Sequence, residues 1–353
     1  MDEIYLKRAL EAAEIGRGFC GPNPSVGAVV VNNSSIISVG YHKGAGAPHA
    51  EVEALNVAGE KARGSSIYVT LEPCCHQGKT PPCTDLLINR GISRVVYAYV
   101  DPNPAVSGKG VRQLQASNIL VDRVEMEEVT TFYEAYAHWI SNEEPFVTAK
   151  LALSLDGKTA GEGGSRKRIS GESMSEFTHL NRRRTDAILT TVRTVTLDNP
   201  SLDARARGER IPKSVYVLDT HLHFPEGALL LKTSKKLTLF CGPNPSRARE
   251  EKLRSLGVMI VKVGETEAGL DWKEVMIFLG KEGVHDLFVE AGGKCIESLA
   301  KAGFLHRAYL SVSPKWLGER STTAFNSSAA FLEKASSIEW MMKGRDALCE
   351  LRW

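Results

Sequence analysis

Residues 49–83 read HAEVEALNVAGEKARGSSIYVTLEPCCHQGKTPPC. A helix is expected from His49 to Ala62 and a buried strand from Ser66 to Leu71. Pro81-Pro82 then opens a second helix through Arg90, with Gly91 as its C-cap. This order puts His49 at one helix start, Cys74 just past a strand, and Cys83 at the next helix start. One imidazole and two thiolates suit a tetrahedral Zn²⁺ with its fourth position open to water. Helix N-termini also favour the thiolate form that a metal needs. Glu51 follows the histidine by two residues, so it need not ligate and can move protons over the open position. A structural zinc site would fill all four positions with Cys or His. Here only Cys75 or His76 could complete it, and adjacent Cys74 and Cys75 would strain around one small ion. The stretch is read as a catalytic site.

The surrounding sequence is that of an ordinary globular protein. It has 353 residues, 42% of them apolar, and a net charge of +2. That length suggests two domains, and that charge advertises neither a nucleic-acid nor a membrane partner. Seven cysteines, an odd number with three crowded together, do not resemble a secreted disulfide framework. Met1-Asp2-Glu3 is acidic where an export signal is basic, and no apolar run is long enough to span a bilayer. A cytoplasmic location is expected.

Before the motif, a helix over 3–16 precedes strands Val26–Val31 and Ser35–Tyr41, joined by Asn32-Asn33. After it come strand Arg94–Val100, helix Val111–Ala116, strand Ile119–Val121 and a long helix Val124–Asn142. Such alternation predicts a sheet covered by helices on both faces. Glu143-Glu144-Pro145 breaks the last helix, which sets the expected domains at 1–144 and 145–353. The second domain reads as α/β again. Its strands are expected at 146–153, 186–191, 214–218, 236–240, 258–263, 285–290, 307–312 and 349–353. Its helices are expected at 171–184, 246–256, 271–282 and 293–302, with loops at 156–165 and 202–213. No GxGxxG is present, which disfavours a Rossmann cofactor site. Gly292-Gly293, between a strand ending at Glu290 and a helix start, can expose backbone N–H groups to a phosphate. Gly78-Lys79-Thr80 looks like the end of a phosphate-binding loop, but Pro73 stands where that loop needs its first glycine. Lys79 and Thr80 could still hold a phosphate as a point charge and a hydroxyl.

The H-x-E…P-C pattern resembles the signature of zinc nucleobase deaminases, with the second cysteine nine residues on rather than three. The segments GPNPSVGAVVV, GYHKGAGAPHAEVEAL, YVTLEPCCHQGKTPPCTDLLI and DPNPAVSGKG resemble the deaminase half of the bifunctional deaminase–reductases of riboflavin biosynthesis. KLALSLDGKTA, RRRTDAILTTVRTVTLDNPSLDAR, VLD and FVEAGGKCIESL resemble the reductase half of that family. The resemblance implies a cytidine-deaminase-like αβα sandwich followed by a dihydrofolate-reductase-like α/β domain. It implies Zn²⁺ and NADPH as cofactors and a phosphorylated pyrimidine as substrate, deaminated first and then reduced at its ribosyl group.

By motif position, the resemblance implies His49, Cys74 and Cys83 as metal ligands and Glu51 as proton shuttle. Asn23, His42, His76, Lys79, Thr80 and Asn103 would face the deaminase substrate. Ala152, Thr194, Asp198 and the segment from Gly292 and Gly293 would touch NADPH. Arg182, Leu202, Arg205 and Glu290 would face the reductase substrate, with an arginine on its phosphate, and Lys150 and Asp156 would lie near the reacting sugar. An ordinary strand-end charge pair is the other reading of Lys150 and Asp156.

Two departures stand out. Ser165-Arg166-Lys167-Arg168 replaces a stretch that in the family carries a small polar residue and an aromatic, and Asp203 stands where a threonine is common. They leave open an active deaminase whose second domain only binds nucleotide or mediates assembly. A nucleic-acid base deaminase is disfavoured by the near-neutral charge and the absence of a basic arm. The sequence is compatible with a homo-oligomer.

Overall fold

The computed structural model describes residues 1–75, 81–206, 208–325 and 330–353. His76, Lys79 and Thr80 lie outside the described residues. The chain divides into two compact units, Met1–Glu143 and Glu144–Trp353.

The first unit runs α1 (Asp2–Gly16), β1 (Gly27–Asn32), β2 (Ser35–Tyr41), α2 (Ala50–Ala58), β3 (Ser66–Leu71), α3 (Cys83–Asn89), β4 (Arg94–Tyr99), α4 (Lys109–Ala116), β5 (Leu120–Arg123) and α5 (Glu127–Asn142). Its sheet order is β2-β1-β3-β4-β5. β1 is antiparallel to both its neighbours, whereas β3, β4 and β5 are parallel. The alternation of side chains along β1 builds the sandwich. Val29 and Val31 pack with Leu6 and Ala9 of α1 and Val129 and Tyr133 of α5. Ala28 and Val30 turn to the other face, against Ala54 and Leu55 of α2, Leu87 of α3 and Leu114 of α4. This is the expected cytidine-deaminase-like αβα layering. The helix expected over His49–Ala62 is two pieces, because a 3₁₀ turn occupies Gly59–Ala62 after α2.

The second unit is organised on a nine-stranded sheet. In spatial order its strands are Met259–Lys262, Lys236–Cys241, Ser214–Leu218, Ala187–Thr191, Asp286–Glu290, Phe146–Ser154, Arg307–Ser313, Asp346–Arg352 and Ser337–Lys343. The first seven are parallel, and the last two form an antiparallel extension. Apolar residues fill both faces. Val147, Leu189 and Val289 pack with Val275, Leu279 and Ile296, whereas Ile188, Val215 and Leu239 pack with Val195, Leu230 and Leu253.

Several expected elements differ here. The loop expected over 156–165 contains strand Lys158–Glu162, paired with Ser321–Thr323. The loop expected over 202–213 folds as a hairpin, Ala204–Ala206 against Glu209–Ile211, anchored by buried Leu202, Asp203 and Lys213. Helix Val192–Asp198 was not foreseen, because its Val and Thr residues favour strands. The Thr191 hydroxyl starts it by accepting from the Thr194 N–H. The final strand begins at Asp346, and its partner Ser337–Lys343 escapes notice because that edge strand carries exposed Ile338, Trp340 and Met342.

Candidate metal centre and reductase row

His49 is the N-cap residue of α2, with extended backbone, and Cys83 is the first residue of α3. α2 seats tightly because Gly40 of β2 has no side chain: a Cβ there would lie 2.4 Å from the Ala50 carbonyl oxygen. His49 Nδ1 lies 3.2 Å from Cys83 Sγ and 3.5 Å from Cys74 Sγ. All three candidate ligand atoms fall within 4.8 Å of one another. The Cys83 N–H, at the open end of α3, donates to Cys74 Sγ at 3.4 Å. Hydrogen bonding from the Cys83 thiol, assisted by His49 and by this N–H, pulls the Cys74 thiol down to about 4. One nitrogen and two sulfurs at this separation fit Zn²⁺, and they do so without Cys75, as expected.

Glu51 is the second residue of α2, 4% exposed, and burial pushes its carboxyl above the usual range. It lines a cavity of about 440 Å³ together with His49 and Cys74. Asn23, His42 and Asn103 line the same cavity, so the described residues expected at the deaminase substrate converge there. His42 Nδ1 lies 3.0 Å from the Pro48 carbonyl, and its Nε2 lies 3.1 Å from Asn23 Nδ2. Burial lowers the His42 pKa, which favours a neutral ring donating from Nδ1 and accepting at Nε2. The Pro24–Val26 wall is held from behind: Tyr133 donates to the Ser25 carbonyl at 2.9 Å and lies 2.6 Å from the Thr70 hydroxyl.

Sequence reasoning missed Glu72, Asp101, Tyr136 and Trp139, which complete the cavity. Asp101 accepts from the Asn103 N–H at 2.9 Å and from the Tyr136 hydroxyl at 3.3 Å, and burial raises its carboxyl to about 6. Asp101 stands in the quoted DPNP motif. Tyr136 and Trp139 lie three apart on α5, within the long helix expected over Val124–Asn142.

In the second unit the expected residues form a row at the C-terminal ends of parallel strands, the usual ligand edge of such sheets. Lys150 is level with Glu290 on one side and Tyr309 on the other, and Ala152 follows two residues later. Glu290 is bound by Arg182 through two hydrogen bonds, one of 2.9 Å. Burial would raise the Glu290 carboxyl, but pairing with Arg182, helped by Lys150, holds it below the usual range. Burial lowers the Lys150 ammonium, against the opposing pull of Glu290. Arg182 also donates to the Asp203 carbonyl at 3.0 Å, so its guanidinium is committed within the protein.

Other expected residues behave differently. Leu202 does not turn its side chain outward: it is 2% exposed, packed in the core with Val195 and Val215, at a left-handed φ of 44°. Asp156 does not pair with Lys150. It accepts from Ser154 Oγ and from the N–H groups of Leu317 and Gly318, and these bonds outweigh burial to bring it down to about 2.

Gly292 caps helix Gly293–Lys301. A Cβ on Gly292 would meet nothing within 4 Å, whereas one on Gly293 would lie 1.9 Å from the Ala324 carbonyl oxygen. Gly293 is therefore required by packing, and Gly292 keeps open the space before the helix N-terminus. A cofactor phosphate fits there. Thr194 and Asp198 lie on helix Val192–Asp198, and Thr194 Oγ1 is 3.2 Å from Thr191 Oγ1.

Comparisons with known proteins agree with both halves. Residues 1–99 match the cytidine and deoxycytidylate deaminase zinc-binding region, and residues 145–343 match the RibD C-terminal domain. The riboflavin biosynthesis protein RibD of Aquifex aeolicus is 41% identical over 90% of this chain and 88% of its own length. That of Escherichia coli is 36% identical over 90% of this chain and 89% of its own length. Acinetobacter baumannii RibD superimposes with a TM-score of 0.86 at 30% identity, covering 99% of this chain and 98% of that one. The Thermotoga maritima diaminohydroxyphosphoribosylaminopyrimidine deaminase/5-amino-6-(5-phosphoribosylamino)uracil reductase gives 0.83 at 29% identity, with the same coverage. With a deaminase-type metal cluster in one unit, a reductase-type row in the other, and likeness along nearly its whole length, the chain belongs to the RibD family of riboflavin biosynthesis proteins.

Proposed function

We propose that this chain performs two successive steps of riboflavin biosynthesis, with 1–144 as the deaminase domain and 145–353 as the reductase domain. The first step hydrolyses the 2-amino group from 2,5-diamino-6-ribosylamino-4(3H)-pyrimidinone 5′-phosphate. The second uses NADPH to reduce the ribosyl group, giving 5-amino-6-ribitylamino-uracil 5′-phosphate. The observation that carries this reading is the His49–Cys74–Cys83 cluster on the wall of a cavity shared with buried Glu51.

Those three side chains would hold zinc, which when bound would supply Lewis-acid activation of a water molecule. Glu51 takes a proton from the water and delivers it to the departing amine, which leaves as ammonia. Its raised pKa suits both halves of that transfer. Neutral His42, fixed by Pro48 and Asn23, and the amide of Asn103 orient the pyrimidine. In the second domain NADPH, when bound, would supply the hydride. Gly292 leaves room for its phosphate, and Lys150 lies beside Glu290, where a proton can be exchanged with the opening sugar. The side chains of Arg166 and Arg168 are exposed, and Arg166 donates to the carbonyl of Asp198, one of the residues expected at NADPH. Seven free cysteines suit a reducing cytoplasm.

Glu51→Gln tests the first half. The variant should keep its zinc and lose ammonia release by about a thousandfold, within the range of one acid–base group. It should still oxidise NADPH with the deaminated intermediate. Full ammonia release by this variant, or absence of NADPH oxidation in the parent protein, would overturn the corresponding half.

A further inference from the structure

Hairpin Ala204–Ala206/Glu209–Ile211 sets Arg205 directly opposite Arg210. Like charges in register across two antiparallel strands repel, so this pairing calls for a counter-charge. Asp203 provides it. Its carboxylate is 3% exposed, with Arg205 Nε at 3.6 Å from one oxygen and Arg210 Nη1 at 3.4 Å from the other. Neither contact is a good hydrogen bond. Oδ1 is taken by the Ser201 hydroxyl at 2.7 Å, and Oδ2, buried, has no hydrogen-bond partner. The two arginine side chains remain 51% and 65% exposed. A further buried atom without a hydrogen-bond partner, Nδ1 of His179, lies within electrostatic reach of Arg205 and Asp203. Arg182 ties the Asp203 carbonyl to Glu290 of the reductase row, which fixes the hairpin beside the expected sugar site.

We propose that Arg205 and Arg210 form a two-arginine clamp for the phosphate monoester of the reductase substrate, and that Asp203 is the internal anion the phosphate must displace. This rests on the reading of the second domain as a reductase of a phosphorylated substrate. A phosphate offers three acceptor oxygens to two forks, where Asp203 offers two oxygens, one of them already used. Asp203 has opposing effects. It holds the arginines in place beforehand, and it repels the incoming dianion. The repulsion dominates, because a carboxylate this buried is poorly screened whereas the half-exposed arginines lose little freedom. Asp203 thus tunes affinity for phosphate downward, and Arg210 is a binding residue in addition to Arg205.

The test uses the full chain. For Asp203→Asn, which keeps shape and the Ser201 contact, the dissociation constant for inorganic phosphate measured by calorimetry should fall by roughly tenfold. The KM for the deaminated intermediate should fall in parallel, with a smaller change in kcat. Arg210→Ala, a truncation at the surface that cannot empty the core, should raise both constants while NADPH affinity stays level. Phosphate binding that is unchanged or weaker in Asp203→Asn, or indifferent to Arg210→Ala, overturns the clamp. Failure of NADPH oxidation in the parent chain would overturn the reductase reading instead, because phosphate calorimetry reports on the clamp without turnover.

Discussion

The two candidate sites are built on opposite plans. The metal centre is local: three donors and a carboxylate come from two helix starts and the segment before one of them, all within residues 49–83. The reductase row is distributed: Lys150, Arg182, Asp203 and Glu290 come from four separate parts of the chain, with Lys150 and Glu290 brought level by strand register and Arg182 bonded to Glu290 and to the Asp203 carbonyl. Their charges also differ in disposition. The centre presents its donors to a cavity, whereas the row pairs its charges with one another. Disturbing the first should remove chemistry, and disturbing the second should first remove stability.

The largest such effect is expected at Arg182. Its side chain and that of Glu290 are 13% and 14% exposed, and each is the other's charge partner. Removing one partner of a buried pair leaves the other uncompensated, at about 3–5 kcal/mol. Arg182→Met should lower the unfolding midpoint of the second domain accordingly in urea, while ammonia release by the first domain persists. A variant that kept its stability would mean that the pair is held for binding rather than for the fold.

Next is Lys213, 3% exposed near the starts of the parallel strands, whose ammonium is pulled by burial from 10.5 down to about 8. The folded state therefore disfavours the charged form. Below pH 8 the full penalty is felt. Between about 8 and 10.5 the lysine is neutral when folded but still takes up a proton on unfolding, so stability from this group rises with pH. At about 1.36 kcal/mol per pH unit the full difference is roughly 3 kcal/mol, reached once the pH passes 10.5. Urea unfolding at pH 7, 8.5 and 10 should show the gap between parent and Lys213→Met moving in the parent's favour as pH rises. A constant gap would refute the burial argument.

The same contrast explains what the sequence disclosed. The metal centre was legible because its meaning lies in spacing: H-x-E, then P-C, then C nine residues on, with helix and strand signals between. The sheet covered by helices on both faces followed from the alternation of helix and strand signals along residues 3–142. The cavity's far wall was not legible, because Asp101, Tyr136 and Trp139 reach it only through tertiary packing. In the second domain, a strand-end charge pair was the alternative reading of Lys150 and Asp156. The loop 315–318 takes Asp156 instead, and strand register gives Lys150 to Glu290. Leu202 sits in the core, as its apolar side chain favours, at a left-handed φ, although the polar run around it reads as an exposed loop. The Arg205–Arg210 opposition was hidden too, because a polar, basic run reads as an exposed loop until a hairpin pairs it.

The smallest effect separates two adjacent glycines that looked equivalent in sequence. Gly293→Ala would drive a Cβ to 1.9 Å from the Ala324 carbonyl oxygen, a backbone atom that cannot swing aside. Overpacking of this kind costs about 1–3 kcal/mol. Gly292 has a φ of −70°, which any residue adopts, and open space where its Cβ would stand. Gly292→Ala should therefore leave stability within about 0.5 kcal/mol of the parent. If a cofactor phosphate sits on the N–H groups of this helix start, the added methyl meets it, and the KM for NADPH rises several-fold with ammonia release unaltered. The two substitutions thus part stability from cofactor affinity within one dipeptide. An unchanged KM in Gly292→Ala would place the phosphate elsewhere along the row and leave packing against Ala324 as the reason for that dipeptide.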